Sequence, residues 1–154
     1  MIMLVRTNSK NPHFQKLVKE LDLDLRIRDG EDHAFFAQFN KIDAIKFVVV
    51  AFQNNEAIGC GAIKEFEHGV MEVKRMYVIP PMRSKGIATL ILKELENWCT
   101  ELGCKKCILE TGIAQPEAIA LYTKNNYQPI PNYGQYAHVK TSVCFEKEFE
   151  FINK

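Results

Sequence analysis

The sequence contains no run of apolar residues that approaches the roughly 18 needed to cross a membrane. It also carries almost no net charge, because 20 Lys and Arg against 19 Asp and Glu leave +1 at pH 7. A chain without a general basic field is not drawn to nucleic acid, so any anion that binds must be held at a local site. We therefore expect a cytoplasmic protein whose partners include neither membranes nor nucleic acid.

Potential metal ligands are few and scattered. The 4 histidines, at positions 13, 33, 68 and 138, show no metal-ligand spacing. The 5 cysteines are odd in number and each lies in an apolar segment, which favours reduced core thiols over a disulfide framework. Cys104 and Cys107 form a lone C-x-x-C pair, and residues three apart in a strand point to opposite faces. The sequence thus predicts no metal.

The order of predicted elements indicates a mixed sheet. A chain of 154 residues is most simply one domain over residues 1–154. Three antiparallel strands are followed by strand, helix, strand and helix, and the crossover between these two later strands makes them parallel. A loop over 128–141 precedes the last strand. Predicted strands cover 1–6, 46–52, 57–66, 73–79, 107–111 and 142–149, and predicted helices cover 12–25, 31–39, 87–102 and 116–125.

The stretch Glu72–Leu95 contains the clearest candidate for a binding site. It predicts a strand, a sharp turn and a long helix. Pro80 and Pro81 end the strand, because neither has a backbone N–H to give to a ladder. The segment Arg83–Ala88 then places two cations and a glycine at the start of the helix, where the first backbone N–H groups lack partners. This arrangement predicts an anion site.

Two motifs in this order carry a family resemblance. M-Y-V-x-P-x-x-R-x-x-G-I-A runs from Met76 to Ala88, and Q-P-E-A-I-A-L-Y-x-K-x-x-Y runs from Gln115 to Tyr127. The chain from about Ile45 onward resembles the GNAT superfamily of acyl-CoA-dependent N-acyltransferases. The resemblance implies an α/β (α+β) fold with a mixed, mostly antiparallel sheet of six to seven strands, a splayed parallel central pair and about four flanking helices. It also implies acetyl-CoA as cosubstrate.

The resemblance implies that the cofactor binds along the central strand that ends before Pro80, at the loop and helix start over 83–88, and at the start of the helix after Gln115. The backbone of the strand pairs with the pantetheine arm, and the N–H of Val78 faces the thioester carbonyl. The amides after Arg83 hold the pyrophosphate, which can approach the main chain closely because Gly86 has no Cβ. Gln115 stands where the family more often has Asn. The implied cofactor-binding residues are Met76, Tyr77, Val78, Arg83, Ser84, Lys85, Gly86, Ile87, Ala88, Gln115 and Tyr122.

The resemblance also implies the catalytic groups. Tyr122 matches the tyrosine that protonates the departing thiolate, and a phenol with a pKa near ~10 is protonated at neutral pH. Glu72 is the first candidate for the general base, and Glu110 on the neighbouring strand is the alternative. In strict alternation along its strand, Glu72 shares a face with Lys74, Met76 and Val78.

The acceptor is expected between the first two helices and the 128–141 loop. Aromatic residues and few clustered acids there favour a small amine or an amino acid, with a peptide or protein amine as the alternative acceptor. The alternative from another class is a non-catalytic acyl-CoA-binding sensor domain, and family habit also admits a homodimer. The expected acceptor-side residues are Phe35, Gln38, Phe39, Tyr133 and Tyr136.

Overall fold

The computed structural model describes residues 1–29 and 45–149. These residues form seven strands and three α-helices. None of these helices is long and apolar enough to cross a membrane. In chain order the elements are β1 (Ile2–Thr7), α1 (Pro12–Asp29), β2 (Phe47–Gln53), β3 (Glu56–Glu67), β4 (Val70–Val78), α2 (Ile87–Glu101), β5 (Lys106–Gly112), α3 (Pro116–Lys124), β6 (Gln128–Ile130) and β7 (Ser142–Glu148).

The strands form one sheet in the order β1-β2-β3-β4-β5-β7-β6. Every pair in it is antiparallel except the central pair β4 and β5, which is parallel as predicted. That pair is hydrogen-bonded only at its beginning, where Glu72 lies opposite Ile108, although β4 continues to Val78 and β5 to Gly112. The two strands therefore part and leave an opening in the middle of the sheet. The predicted splayed pair is confirmed.

The helices α1 and α2 cover opposite faces of β2, β3 and β4. Gly61 on β3 lets α2 approach closely, because a Cβ there would lie 2.9 Å from the side chains of Ile91 and Leu95. The buried apolar residues of α2 are Ile87, Ile91, Leu92, Leu95 and Cys99, and those of α1 are Phe14, Leu17, Val18 and Leu21. This packing holds the start of α2 against the end of β4, beside the opening.

A bulge interrupts β4 halfway along its length. Tyr77 lies opposite Cys60 on β3, whereas Lys74 lies opposite Ala62, so β4 holds one residue more than its partner between these pairs. Arg75 falls in the bulge and has a φ of 61°, in the left-handed region. A bulge that contains a strained, non-glycine residue suggests a position kept for function.

The bulge corrects one prediction about β4. Val73, Met76 and Val78 all belong to the core on the α2 side of the sheet. Glu72 and Lys74, which alternate with Val73, therefore face the α1 side. The predicted strict alternation, which put Glu72 on the same face as Met76 and Val78, is wrong because the extra residue shifts the period.

Helix α1 begins as predicted but ends later. The side-chain oxygen of Asn11 accepts hydrogen bonds from the backbone N–H groups of His13 at 2.9 Å and Phe14 at 3.1 Å, which caps the helix. The helix ends at Asp29, past the predicted end near Leu25, because no glycine or proline interrupts it between these residues.

Residues 128–141 are a loop only in part. Gln128–Ile130 pairs with β7 as an edge strand, and a 3₁₀ turn follows at Gly134–Tyr136. Pro129 is tolerated in β6 because an edge strand leaves one side without a ladder. The predicted helix at 31–39 lies outside the described residues, together with Phe35, Gln38 and Phe39.

The cysteines lie mainly in the core. All five are free thiols, and four of them are buried, in agreement with the prediction; Cys104 is half-buried. Within residues 1–29 and 45–149, no group of three His, Cys, Asp or Glu side chains is arranged to hold a metal ion.

Candidate active site

The opening between β4 and β5 leads into a cleft of about 560 Å³. The cleft reaches from α1, through the gap in the sheet, to the start of α2 and one side of α3. It therefore gathers residues that are distant in the chain around one space. Of the residues singled out from the sequence, the cleft is lined by Glu72, Met76, Tyr77, Val78, Arg83, Ser84, Gly86, Ile87, Ala88, Glu110, Gln115, Tyr122 and Tyr136.

The loop between β4 and α2 has a backbone suited to an anion. Ser84 and Gly86 both have positive φ, 64° and 81°, and such conformations turn successive N–H groups toward one point. Gly86 is the N-cap of α2, and no side chain caps that end. A Cβ built on Gly86 would meet nothing within 4 Å, so the space beside it is open. The first N–H groups of α2 are thus offered to a ligand.

Arg83 contacts β4 rather than extending into solvent. Its Nε donates a 2.8 Å hydrogen bond to the carbonyl oxygen of Val78, and its guanidinium lies 5.5 Å from the ring centre of Tyr77. The bond uses a single N–H of the guanidinium, which retains further donors for an anion. Lys85 is exposed in the same loop and does not line the cleft.

The backbone at the end of β4 faces the opening at Val78. The N–H of Ile79 bonds to the carbonyl oxygen of Ile58 on β3 at 2.9 Å. Since N–H groups alternate between the two edges of a strand, the N–H of Val78 is directed to the other edge of β4. That edge faces β5, from which β4 has already separated. A carbonyl oxygen in the cleft can therefore reach this N–H.

Tyr122 on α3 lines the cleft and is only 6% exposed. Its ring makes an edge contact with Tyr127, at 5.7 Å between centroids, and lies near Phe145. Burial raises the pKa of Tyr122, and the charge of Glu110 raises it further. The phenol is therefore protonated throughout the neutral range and can act only as a proton donor there.

Glu72 is held by two partners on the α1 side of the sheet. The hydroxyl of Tyr133 donates a 2.6 Å hydrogen bond to Glu72 Oε2, and Lys74 Nζ lies 3.7 Å from Oε1. Glu72 is 7% exposed. Burial lowers the pKa of Lys74, although the charge of Glu72 opposes that shift. A carboxylate fixed in this way retains lone pairs that can accept a proton.

Glu110 is the second carboxylate in the cleft. It lies on β5 and accepts a 2.7 Å hydrogen bond from the hydroxyl of Ser142. Glu110 and Glu72 thus come from the two strands that part, one on each side of the opening.

The remaining predicted residues lie at the margins of the cleft. Gln115 is the N-cap residue of α3, makes no side-chain cap and lines the cleft. Tyr136 is buried and lines the cleft, whereas Tyr133 reaches it through Glu72.

Two features of the site were missed from the sequence. The bond between Tyr133 and Glu72 joins residues 61 positions apart, so no local pattern indicates it. Arg75 lines the cleft and pairs with Asp22 on α1 at 2.9 Å. The position of Arg75 within a strand was the available signal for the second.

The sequence has relatives among characterised families. Residues 14–127 match the model of the Acetyltransferase (GNAT) family. An "IAA acetyltransferase" from Azospirillum brasilense is 36% identical over 104 residues, which cover 67% of this chain and 67% of that protein.

Solved structures share the fold. A putative acyl-CoA N-acyltransferase from Klebsiella pneumoniae superposes with a TM-score of 0.82 at 28% identity, covering 97% of this chain and 99% of that one. The PaiA N-acetyltransferase from Thermoplasma acidophilum, solved in complex with coenzyme A, superposes with a TM-score of 0.72 at 17% identity, covering 97% and 99%. At 17% identity, the similarity to the PaiA N-acetyltransferase shows a shared fold and nothing further.

Proposed function

Because the chain belongs to the GNAT family of acetyltransferases, we propose that it transfers the acetyl group of acetyl-CoA to a primary amine of a small molecule or an amino acid. One observation carries the proposal. The opening in the sheet is bordered by the loop at 83–88 with the uncapped start of α2, by the phenol of Tyr122 and by the carboxylate of Glu72. These are the groups that a direct transfer from a thioester to an amine requires.

Acetyl-CoA fits the shape and chemistry of the cleft. The uncapped start of α2 and the positive-φ residues Ser84 and Gly86 would receive the pyrophosphate. The pantetheine arm would run along the edge of β4 that β5 leaves unpaired, toward Val78. The chemistry uses no metal, since the thioester is already activated for attack.

The proposed reaction forms an N–C bond and breaks a C–S bond. The amine nitrogen attacks the thioester carbonyl carbon, and Glu72 takes the proton that the amine loses. The N–H of Val78 would stabilise the carbonyl oxygen as it gains charge, an effect worth on the order of 10²–10³ in rate. Tyr122 gives its proton to the departing thiolate of coenzyme A.

The composition of the cleft favours a small acceptor. Glu72 and Tyr136 are buried, and the apolar side chains of Leu21 and Leu25 line the cleft on the α1 side, which favours a compact acceptor. A peptide or protein amine would have to enter as an extended N-terminus or a single lysine side chain. It remains the second acceptor class.

Release of the coenzyme A thiol from acetyl-CoA tests the proposal. A panel of primary amines, amino acids and short peptides should include acceptors that accelerate thiol release, with mass spectrometry detecting the N-acetylated product. Tight acetyl-CoA binding with no acceptor-dependent release from any member would favour a sensor domain instead.

Replacing Arg83 with Ala should weaken acetyl-CoA binding. We expect the dissociation constant to rise about 10-fold with kcat changed less than about 3-fold, because the side chain supports the pyrophosphate end and not the reacting atoms. Isothermal titration with acetyl-CoA measures the first value and steady-state kinetics the second. The exposed neighbour Lys85, replaced by Ala, is the matched control and should cause a smaller loss. Equal affinity in wild type and Arg83→Ala would remove Arg83 from the cofactor site.

A further inference from the structure

Arg75 is buried, and one nitrogen of its guanidinium group makes no hydrogen bond. Its side chain is only 4% exposed. Among the side-chain nitrogen and oxygen atoms buried in the described parts of the chain, Nε of Arg75 alone has no hydrogen-bond partner. A buried donor of this kind costs free energy unless a ligand satisfies it, so such an atom in a cleft indicates a binding position.

The geometry of the Asp22 pair explains which edge is left over. Asp22 meets the end of the guanidinium, with 2.9 Å from Nη1 to Oδ1 and 3.4 Å from Nη2 to Oδ2. The second distance is long for a hydrogen bond between charged groups. Nη2 retains a second N–H, and together with the unpartnered N–H of Nε it forms a lateral edge that matches the two oxygens of a carboxylate.

The location of Arg75 places this edge at the acceptor side. Arg75 lines the cleft with Leu21, Asp24 and Leu25 of α1, on the side of the sheet that also holds Glu72. The α2 side, in contrast, holds the loop proposed for the pyrophosphate. A carboxylate bound at Arg75 would thus belong to the acceptor and not to the cofactor.

The charges around this end of the cleft have both signs. Glu72 and Asp24 supply carboxylates, and Lys74 and Arg75 supply cations. An acceptor that carries only a cationic amine would complement the two carboxylates but not the two cations. A molecule that carries an amine and a carboxylate a few bonds apart complements both.

We propose that the acceptor is an amino acid or a related molecule with a carboxylate near its amine, and that Arg75 binds this carboxylate through Nε and Nη2. The inference rests on the proposed acyl transfer to an amine and names the class of acceptor. The left-handed backbone of the bulge at Arg75 would then be retained because it brings the guanidinium into the cleft.

A matched series of acceptors tests the inference on the wild-type protein. Phenylalanine, phenylalaninamide and 2-phenylethylamine share the amine and the ring but differ in the carboxylate, and the methionine series repeats the comparison. We expect kcat/KM for the acid to exceed that for the amide roughly 10- to 100-fold, mostly through KM. Equal values for acid, amide and amine would overturn the inference while leaving the transferase function intact.

Two variants locate the effect. Arg75→Lys keeps the positive charge. Lys also has a Cβ, so the backbone strain at the positive φ is unchanged. Lys lacks the pair of N–H groups that Nε and Nη2 of Arg present to a carboxylate. The preference for acid over amide should shrink by at least about 10-fold in this variant. Asp22→Asn is the control, because Asp22 is half-exposed and leaves Nε untouched; it should retain the preference. An unchanged preference in Arg75→Lys would overturn the inference.

A binding measurement separates this inference from the proposed function. N-acetylphenylalanine and its amide are titrated by calorimetry into the protein saturated with coenzyme A. Stronger binding of the acid that depends on Arg75, together with no turnover of any amine, would keep the carboxylate site and reject the transferase function. Equal affinity for acid and amide would reject the carboxylate site whatever the turnover.

Discussion

Replacing Tyr122 with Phe is expected to lower kcat about 100-fold while the acetyl-CoA dissociation constant changes less than about 3-fold. Phe keeps the ring that packs against Tyr127 and Phe145, so the change removes little besides the hydroxyl. Without it the thiolate departs unprotonated. Because burial raises the pKa of Tyr122, the ratio of wild-type to variant kcat should stay constant from about pH 6 to about pH 9.

Tyr127 provides the matched control for this change. Its ring lies against that of Tyr122, but its hydroxyl donates to the buried Glu96 at 3.0 Å and it does not line the cleft. Tyr127→Phe should cost about 1–3 kcal/mol in the free energy of unfolding and leave kcat nearly unchanged. Unchanged kcat in Tyr122→Phe would show that Tyr122 is not the acid, and equal losses in both variants would point to packing.

Replacing Glu72 with Gln is expected to lower kcat/KM for the acceptor about 100-fold at neutral pH. Gln retains an oxygen that can accept the hydroxyl bond of Tyr133, so the side chain should stay in place while the base is lost. Because only the neutral amine attacks the thioester, kcat/KM of both proteins should rise with pH until the free amine has lost its proton.

Glu110→Gln is the control for the choice of base. Its amide oxygen can keep the bond from Ser142, and we expect kcat/KM to fall less than about 5-fold. A large loss in Glu110→Gln with a small one in Glu72→Gln would assign the base to Glu110. Small losses in both would mean that neither carboxylate takes the amine proton.

The order of elements and the binding loop could be predicted because their signals are local. Pro80 and Pro81 have no N–H to offer, and Gly86 permits a left-handed N-cap, so the sequence alone indicates where β4 ends and α2 begins. The crossover rule then makes β4 and β5 parallel. Tyr122 was proposed through the family resemblance of the motif that runs from Gln115 to Tyr127.

The register within β4 could not be predicted, because a bulge is defined by how a strand pairs with its neighbour. The alternation of Val73 with Glu72 looks regular up to Arg75, and only the pairing with β3 shows the extra residue. The contact of Tyr133 with Glu72 also depends on strand pairing. The strands β7 and β5 must pair before the 3₁₀ turn lies beside β4. Strand β6 was missed because Pro129 discourages a strand except at a sheet edge.

The structure of the protein bound to acetyl-CoA tests the central claim most directly, because the claim concerns where one molecule lies. The pyrophosphate is expected on the amides of 84–88, the thioester oxygen within hydrogen-bond distance of the N–H of Val78, and the hydroxyl of Tyr122 within about 3.5 Å of the sulfur. A pyrophosphate bound away from the start of α2, or a sulfur that Tyr122 cannot reach directly or through one water, would contradict the account.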